Sequence, residues 1–173
     1  MKEIEVKILE VNQDEVVEKL LSLGAIKTFE GILEAKFYDY EDKYLSQAGK
    51  VLRLRKEGNE SFLTLKQNFD MSKVKICDEI ETEISNAEEI KIILLSLKLQ
   101  PLKTTKKKRI SYKIQNTKFE FDEYLEEFSN IPILLEIETP NIEKIYEWAE
   151  KLGFSKEDCK PWGFNKLVKY YKK

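Results

Sequence analysis

The stretch that decides the fold is Glu3-Ile4-Glu5-Val6-Lys7, in which charged and apolar residues alternate. Successive side chains of an extended strand point to opposite faces, so the charged residues share one face and the apolar residues share the other. Two carboxylates at this spacing lie roughly 7 Å apart, where they repel by about 2 kcal/mol at an effective dielectric constant of about 20. If this face is turned into the protein, it therefore needs cations beside it.

The same alternation recurs on later segments, where charges of one sign follow one another at two-residue spacing. The acidic positions are Glu79, Glu81, Glu83, Glu120, Asp122, Glu136 and Glu138, and the basic positions are Arg53, Arg55, Lys66, Lys107 and Arg109. One interpretation is an amphipathic antiparallel sheet with its charged face in water. The segregation of sign favours a second interpretation, in which the strands close into a barrel with the charged faces inward and helices covering its apolar exterior.

Apolar spacing and turn residues predict two similar sets of elements. The first set has a strand at 2–10, a helix at 13–23 ending at Gly24, and strands near 27–39, 50–57 and 61–67. The second set has a strand at 76–84, a helix at 86–98, strands near 106–115, 118–126 and 132–139, and a helix at 141–152. Residues 79–84 echo residues 3–8, and no linker rich in Pro, Gly or Ser separates the sets. The sequence therefore predicts one domain, 1–173, built from two related halves, about 1–70 and 75–173.

Composition excludes several classes of function. The 173 residues are 42% hydrophobic and 36% charged, with a net charge of −2, which gives no bulk attraction to nucleic acid or membrane. The chain has no histidine, which excludes histidine metal sites and Ser-His-Asp or Cys-His catalysis. Cys77 and Cys159 are single and far apart, so we expect two reduced thiols. The N-terminus lacks a signal-peptide pattern and the apolar run 92–95 is too short to span a bilayer, so we expect a cytoplasmic protein.

The basic cluster from Lys103 to Arg109 is the one segment that suggests a nucleic-acid partner. Strand alternation splits this cluster, because Lys107 and Arg109 share one face while Lys106 and Lys108 share the other. We therefore predict no nucleic-acid partner and no membrane partner, and we interpret Trp148 and Trp162 as packing or interface residues.

Clustered carboxylates and clustered cations suit one kind of ligand. Carboxylate oxygens bind hard divalent cations, and Mg²⁺ or Mn²⁺ bridges from them to phosphate. Arginine binds phosphate oxygens bidentately, and lysine acts as a point charge. A polyphosphate that carries metal would neutralise both clusters, although no glycine-rich phosphate loop is present in the sequence.

These residues resemble the CYTH family, also called triphosphate tunnel metalloenzymes, which includes class IV adenylyl cyclases, thiamine triphosphatases and inorganic tripolyphosphatases. The opening Glu3-x-Glu5-x-Lys7 is similar to the family's N-terminal signature, and the run from Phe37-Tyr38-Asp39 to Leu52-Arg53-Leu54-Arg55 is similar to a second family motif. The sequence departs from the family pattern at Tyr40, where threonine is usual, and at 163–166, where a Ser-Tyr pair is common.

The resemblance implies an α+β fold, an eight-stranded antiparallel β-barrel that forms a tunnel with a charged interior and helices on the outside. It implies that Lys7, Arg53, Arg55, Lys66, Lys107 and Arg109 bind phosphates. It implies that Glu3, Glu5, Glu136 and Glu138 bind metal, helped by Glu79, Glu81 and Asp122, with two Mg²⁺ or Mn²⁺ ions per site. Within these sets it places Glu5, Lys66 and Glu138 at the catalytic centre. It assigns no role to Glu83, Glu120, Lys160 or Lys166.

The leading functional hypothesis is a metal-dependent triphosphatase that hydrolyses inorganic tripolyphosphate or another organic or nucleoside triphosphate. The alternative is a class IV adenylyl cyclase, which would use the same triphosphate site to convert ATP to cyclic AMP and pyrophosphate. A lesser alternative is a polyphosphate-binding module without turnover. In each case the expected partner is a small molecule with a triphosphate, and because relatives are often dimers, a homodimer is a further expectation.

Overall fold

A computed structural model of the chain describes residues 2–172, so Met1 and Lys173, the ends of the predicted domain, lie outside the described residues. Eight strands run Lys2–Ile8 (β1), Ile26–Asp39 (β2), Val51–Glu57 (β3), Glu60–Asp70 (β4), Lys75–Glu83 (β5), Gln100–Ile114 (β6), Thr117–Tyr124 (β7) and Leu134–Glu138 (β8). Five α-helices run Gln13–Ser22 (α1), Tyr44–Gln47 (α2), Ala87–Ser96 (α3), Ile142–Leu152 (α4) and Phe164–Tyr171 (α5). Single 3₁₀ turns occupy Glu126–Phe128 and Lys156–Asp158.

The strands form a closed antiparallel barrel in the order β1-β5-β4-β3-β2-β6-β7-β8, which confirms the predicted eight-stranded α+β fold. Exchanging β1–β4 with β5–β8 leaves this order unchanged, so the barrel has the topology of two interlocked equivalent halves. β1 lies between β5 and β8, and both of those strands come from the other half of the chain. The repeated pattern of the sequence is therefore matched by a repeated pattern of strand pairing.

The two hydrophobic cores under α1, α3 and α4 lie between the outer face of the barrel and these helices. The largest joins Val6, Phe119 and Ile137 on strands to Leu20 of α1 and Trp148 of α4, with the rings of Phe119 and Trp148 edge-to-face at 5.2 Å. Fully burying one Val, Leu, Ile or Phe side chain stabilises the native state by about 1.5–3 kcal/mol. Helices α1 and α4 therefore cover the outside of the barrel here, as predicted.

A second, smaller core lies under α3. Leu94 of this helix packs with Tyr38 and Leu54 on neighbouring strands of the barrel. No helix among the described residues is long and apolar enough to cross a membrane.

Asp39 explains why the family motif around it has an aspartate. Its carboxylate is 1% exposed and accepts hydrogen bonds from the backbone N–H of Tyr40, Leu45 and Ser46 and from the Ser46 hydroxyl, at 2.6–2.9 Å. Burial raises the pKa of this carboxyl, but these hydrogen bonds outweigh it and leave the pKa lowered. Asp39 thus fixes the connection from β2 to β3, and Tyr40, where threonine is usual, still donates its backbone N–H.

The structure differs from the sequence predictions at the start of β6 and at the C-terminus. β6 begins at Gln100 rather than near residue 106, because it pairs with β2 as far as Asp39. A shift in register between Phe37 and Tyr38 accommodates this extension around Pro101, which cannot donate a ladder hydrogen bond. The C-terminal segment, for which no element was predicted, contains the helix α5.

Candidate functional site

The charged face of β1 points into the barrel. Ile4 and Val6, on the opposite face, are buried in the core beneath α1 and α4, so alternation turns Glu3, Glu5 and Lys7 inward. Glu5 and Lys7 are only 6% and 4% exposed. The prediction of a charged interior, made from the opening stretch of the sequence, is confirmed.

Strand pairing brings charged residues of the two halves side by side. On one side of β1, Glu5 lies opposite Glu138 and Lys7 lies opposite Glu136 on β8. On the other side, Glu5 lies opposite Lys75 on β5. Carboxylates that are more than a hundred residues apart in the sequence are therefore cross-strand neighbours.

The interior charges form one continuous chain of ion pairs in which acid and base alternate. We call it the interior ion-pair chain. In order of contact its members are Glu57, Arg55, Glu81, Arg53, Glu79, Lys66, Glu3, Lys75, Glu5, Lys7, Glu136, Arg109, Asp122 and Lys107. Every strand except β2 contributes to it. Apart from Glu138, all the site residues predicted from the sequence belong to this chain.

Two members of the chain, Glu57 and Lys75, were missed by the sequence reasoning. Lys75 was missed because the strand was predicted to begin at residue 76, one position too late. The signal was present, since alternation from Glu79 back through Cys77 to Lys75 continues the same inward face. Glu57 was missed although it continues the face of Arg53 and Arg55.

The remaining charged residues named from the sequence lie at or beyond the edge of this chain. Glu138 pairs with Lys118 at 3.2 Å, and Glu120 contacts the Arg109 guanidinium. Lys160 bonds the backbone of Lys7 in a short β-bridge, while its ammonium donates to the carbonyl of Glu157. Lys166 lies over the ring of Trp162, and Glu83 is an exposed residue of β5.

Asp122 lies between two predicted phosphate-binding residues and is itself fully buried. Its carboxylate accepts two hydrogen bonds from the Arg109 guanidinium, at 2.6 and 2.7 Å, and also contacts the ammonium of Lys107. Arg109 donates in addition to Glu136 at 2.7 Å. A planar guanidinium held on several sides has one orientation, so these carboxylates position Arg109 within the barrel.

Glu3 and Glu5 share one ammonium group. The Lys75 Nζ lies 3.3 Å from Glu3 Oε2 and 2.8 Å from Glu5 Oε1. Burial raises the pKa of both carboxyls, but neighbouring lysines outweigh it, and both pKa values are lowered. The attraction also raises the pKa of Lys75 against the effect of its burial. Both carboxylates are therefore ionised across the physiological pH range.

The carboxyl of Glu138 has a raised pKa, in contrast to the lowered pKa values of Glu3 and Glu5. Burial, the largest effect, raises the pKa of its carboxyl, and the neighbouring carboxylate of Glu120 adds to this, while Lys118 opposes it. The Lys118 side chain is 49% exposed, so water screens its charge. The carboxyl of Glu79 also has a raised pKa, first because of its burial. Burial thus disfavours the ionised form of both carboxyls, and a cation beside either one would stabilise that form.

The carboxylate oxygens of the interior suit a divalent cation, although in this structure they surround lysine ammonium groups. Among residues 2–172, no three carboxylate or thiol side chains converge as they would around a metal ion. The available donors are nevertheless carboxylate oxygens, which Mg²⁺ and Mn²⁺ prefer, and Glu3 and Glu5 already hold a cation between them. The residues therefore fit these metals by their chemistry.

Arg53 and Arg55 retain donors that this structure does not use. Their guanidinium groups pair with Glu79 and Glu81, at 3.3–3.8 Å. The Nε of each is buried and, within the part of the chain that the structure describes, has no hydrogen-bond partner. Buried donors without partners are costly, so these two N–H groups would be stabilised by an added acceptor in the barrel.

The helix α5 covers one end of the barrel interior. Leu167 and Phe164 of this helix pack against Tyr124 and Leu134, whose register places them on the inward face of β7 and β8. Beside them, the Lys103 ammonium lies over the rings of Phe37 and Phe164, at 4.7 and 4.3 Å, and donates to the Asn165 side chain. This end is therefore mainly apolar, in contrast to the rest of the interior.

Two surface clefts lie away from the interior ion-pair chain. One, of about 400 Å³, lies beside α5 and is lined by residues such as Lys103 and Asn130. The other, of about 790 Å³, lies near Tyr40 and Gln100. The side chains of the interior ion-pair chain pair with one another across the barrel, so a ligand that binds there must exchange some of these ion pairs for contacts of its own.

The CYTH domain family matches residues 1–171. This chain belongs to the CYTH family. The resemblance inferred from the sequence motifs is thus confirmed, and the barrel described above is a CYTH tunnel. No curated protein matches the chain at a significant level.

Solved structures similar to this CYTH protein include two proteins of Pyrococcus horikoshii. PH1012 is 28% identical over 95% of this chain and 98% of its own, with a TM-score of 0.78. PH1819 is 25% identical over 98% of this chain and 99% of its own, with a TM-score of 0.74. A Hippeastrum protein named for adenylyl cyclase, and described as having a dominant triphosphatase activity, is 18% identical over 99% and 97%, with a TM-score of 0.70. At that identity the likeness concerns the fold alone.

Proposed function

We propose that this protein is a metal-dependent triphosphatase that hydrolyses inorganic tripolyphosphate, or a related triphosphate, inside its tunnel. The observation that carries the proposal is the interior ion-pair chain, in which inward-facing carboxylates alternate with arginines and lysines. A bare polyanion would satisfy the cations and repel the carboxylates, while a bare metal ion would do the reverse. A triphosphate carrying divalent metal satisfies both sets.

The basic residues would hold the phosphates. Arg53 and Arg55 support this role, because each has a buried Nε–H without a partner among residues 2–172. Arg109 is already oriented by Asp122 and Glu136, so its binding incurs little further loss of side-chain freedom. As negative charge develops on the phosphate oxygens during hydrolysis, these fixed cations would stabilise it. The proposed phosphate-binding set remains Lys7, Arg53, Arg55, Lys66, Lys107 and Arg109.

The carboxylates would hold the metal. In this proposal Glu3, Glu5, Glu136 and Glu138 are the ligands, with Glu79 and Glu81 beside them. Bound Mg²⁺ or Mn²⁺ supplies a Lewis acid for the phosphates and a water of lowered pKa. Asp122 is assigned here to positioning Arg109 and Lys107, because its carboxylate is occupied by both of them.

The closed end of the tunnel favours a short substrate. α5 packs against inward-facing residues at that end, so the bound triphosphate would lie among the charged residues and approach from the opposite end. Inorganic tripolyphosphate needs no further pocket for a base or a sugar. This supports tripolyphosphate as the first substrate to assay.

The test is a panel of tripolyphosphate, ATP and thiamine triphosphate, each assayed with Mg²⁺, with Mn²⁺ and with EDTA, and with all products identified. The proposal predicts orthophosphate release from tripolyphosphate that depends on metal. Cyclic AMP and pyrophosphate from ATP would instead establish a class IV adenylyl cyclase. Binding of tripolyphosphate that persists in EDTA, with no hydrolysis under any condition, would establish a polyphosphate-binding module.

A matched pair of variants on β3 ties any activity to the tunnel. Arg55→Met removes an inward guanidinium, whereas Lys56→Met removes a charge from the adjacent exposed position. We expect Arg55→Met to raise KM for tripolyphosphate by about tenfold or more, since a charge-assisted contact contributes about 1.5–3 kcal/mol. Lys56→Met should leave KM unchanged.

A further inference from the structure

Lys75 occupies the position between the two carboxylates that open the chain. It lies on β5, opposite Glu5 in the strand pairing, and is 8% exposed. Its Nζ lies 3.3 Å from Glu3 Oε2 and 2.8 Å from Glu5 Oε1. A single ammonium therefore bridges both residues of the Glu3-x-Glu5 motif, and it reaches them from a different strand.

The oxygens that face Lys75 are also the ones that other donors reach. Glu3 Oε2 accepts a hydrogen bond from the Cys77 thiol at 2.9 Å, while Glu3 Oε1 accepts one from Lys66 at 2.6 Å. Glu5 Oε1 accepts a second ammonium, that of Lys7, at 3.0 Å. Three donors, two of them ammonium groups, thus engage the oxygens of Glu3, so a metal ion that ligates this carboxylate meets the positive charge of its present partners.

We propose that Lys75 is an internal counter-ion that competes with divalent metal for Glu3 and Glu5. This inference rests on the proposed function, in which these two carboxylates are metal ligands. In the absence of metal, the ammonium keeps two buried carboxylates from repelling each other and so stabilises the barrel. When a divalent ion binds, the ammonium is displaced, and its displacement lowers the apparent affinity of the site for metal.

The chemistry of lysine suits this exchange. Its ammonium is a compact point charge on a flexible four-carbon stem, so it can leave the carboxylates without any change in the backbone. The phosphate of an incoming metal–triphosphate offers it a new acceptor within the tunnel. Lys75 would therefore couple the binding of metal to the binding of triphosphate, because the two together supply partners for every charge.

The test compares Lys75→Met and Lys75→Gln with the wild-type chain. Methionine keeps the length of the stem and removes the charge, and glutamine also keeps hydrogen-bonding capacity in case methionine prevents folding. The control is Lys106→Met, which removes a lysine of an exposed ion pair with Glu126. Mn²⁺ binding is measured by calorimetry without triphosphate, and thermal unfolding is measured with and without Mn²⁺.

Removing the competing charge should tighten Mn²⁺ binding by about tenfold or more, because two buried carboxylates then have one cation fewer. Without metal the Lys75 variants should unfold at lower temperature than the wild type, and Mn²⁺ should raise their Tm by more than it raises the wild-type Tm. Lys106→Met should match the wild type in both measurements.

Equal or weaker Mn²⁺ binding by both Lys75 variants would overturn the inference, and so would the absence of Mn²⁺ binding by any of the proteins. Phosphate release by the wild-type chain is measured separately. If the wild type hydrolyses tripolyphosphate while the Lys75 variants bind Mn²⁺ no more tightly, the inference about Lys75 is wrong and the proposed function stands. If the variants bind Mn²⁺ more tightly and the wild type hydrolyses nothing, the inference about Lys75 stands and the proposed function is wrong.

Discussion

Glu5 and Glu138 lie directly opposite each other on the neighbouring strands β1 and β8, and both carboxyl groups face the interior of the barrel. Like charges at opposed positions of an antiparallel pair destabilise a sheet. The two residues differ in how this repulsion is compensated, because Glu5 has two buried lysines beside it and Glu138 has one half-exposed lysine. The charge of Glu5 is therefore compensated by two buried cations, whereas the charge of Glu138 is compensated only by a cation that water screens.

Both members should be required for turnover. We expect Glu5→Gln and Glu138→Gln each to lower metal-dependent phosphate release by about 100-fold or more, because each removes a charged ligand from the proposed metal site. The measurement is orthophosphate release from tripolyphosphate with Mg²⁺ or Mn²⁺. Glu126→Gln, at an exposed position outside the barrel, is the matched control. Near-wild-type activity in both interior variants would rule out the assignment of the metal site.

The same two substitutions should have opposite effects on the stability of the metal-free protein. Burial raises the pKa of the Glu5 carboxyl, but Lys7 and Lys75 outweigh it and leave the pKa lowered, whereas burial leaves the pKa of Glu138 raised. A carboxyl with a lowered pKa stabilises the folded state above its unfolded pKa, and a carboxyl with a raised pKa destabilises the folded state there. At pH 7 in EDTA, Glu5→Gln should lower the urea midpoint and Glu138→Gln should raise it. Shifts of the same sign would contradict this account.

Asp122 should matter for stability as well as for substrate. Asp122→Asn leaves Arg109 and Lys107 buried without their common carboxylate, so we expect the free energy of unfolding to fall by about 3 kcal/mol, the usual effect of breaking a buried ion pair. KM for tripolyphosphate should rise, because both cations lose their orientation. Urea unfolding and steady-state kinetics measure the two effects. Glu123→Gln, the adjacent exposed position, should change neither.

The lowered pKa of Lys103 predicts that the folded protein becomes more stable as pH rises into the alkaline range. Burial between Phe37 and Phe164 lowers the pKa of Lys103 to about 8, from an ordinary value of 10.5. Between these two pH values the unfolded chain binds a proton that the folded chain does not, so this group makes stability increase as pH rises from 8 to 10.5. Lys103→Met should be more stable than the wild type at pH 7, and its advantage should shrink across that range. A constant difference between the two proteins, followed by urea unfolding at several pH values, would show that Lys103 does not titrate in this way.

The strands and their inward faces could be predicted because the charged residues recur with the two-residue period of a β-strand. At Glu3, Glu79 and Glu136 the two-residue spacing identifies both the strand and its charged face, and the segregation of sign identifies the barrel. The contacts between them could not be predicted, because pairing of β1 with β8 depends on how the chain closes. For the same reason the sequence predicted Asp122 as a possible metal ligand but could not show that its carboxylate pairs with Arg109 and Lys107.

The helix α5 was missed although its pattern is present in the sequence. Phe164, Leu167, Val168 and Tyr171 recur at helical spacing, and the structure packs members of this set against the end of the barrel. Eight residues form only a marginal helix on their own, so this element depends on tertiary packing that periodicity does not reveal. The start of β6 was missed for a related reason, because Pro101 marks a boundary locally and only the partner strand overrides it.

The position of β1 between β5 and β8 bears on how the protein is made. Of the eight strands of the barrel, β1 is synthesised first and β8 last, so the barrel closes only after β8 has been made. Until then the β8 side of β1 is unpaired, and Glu5 and Lys7 lack their neighbours Glu138 and Glu136. Contacts of such long sequence separation form slowly, which makes closure of the barrel a late step in folding. In a nascent chain the proposed metal site would therefore stay incomplete until β8 leaves the ribosome.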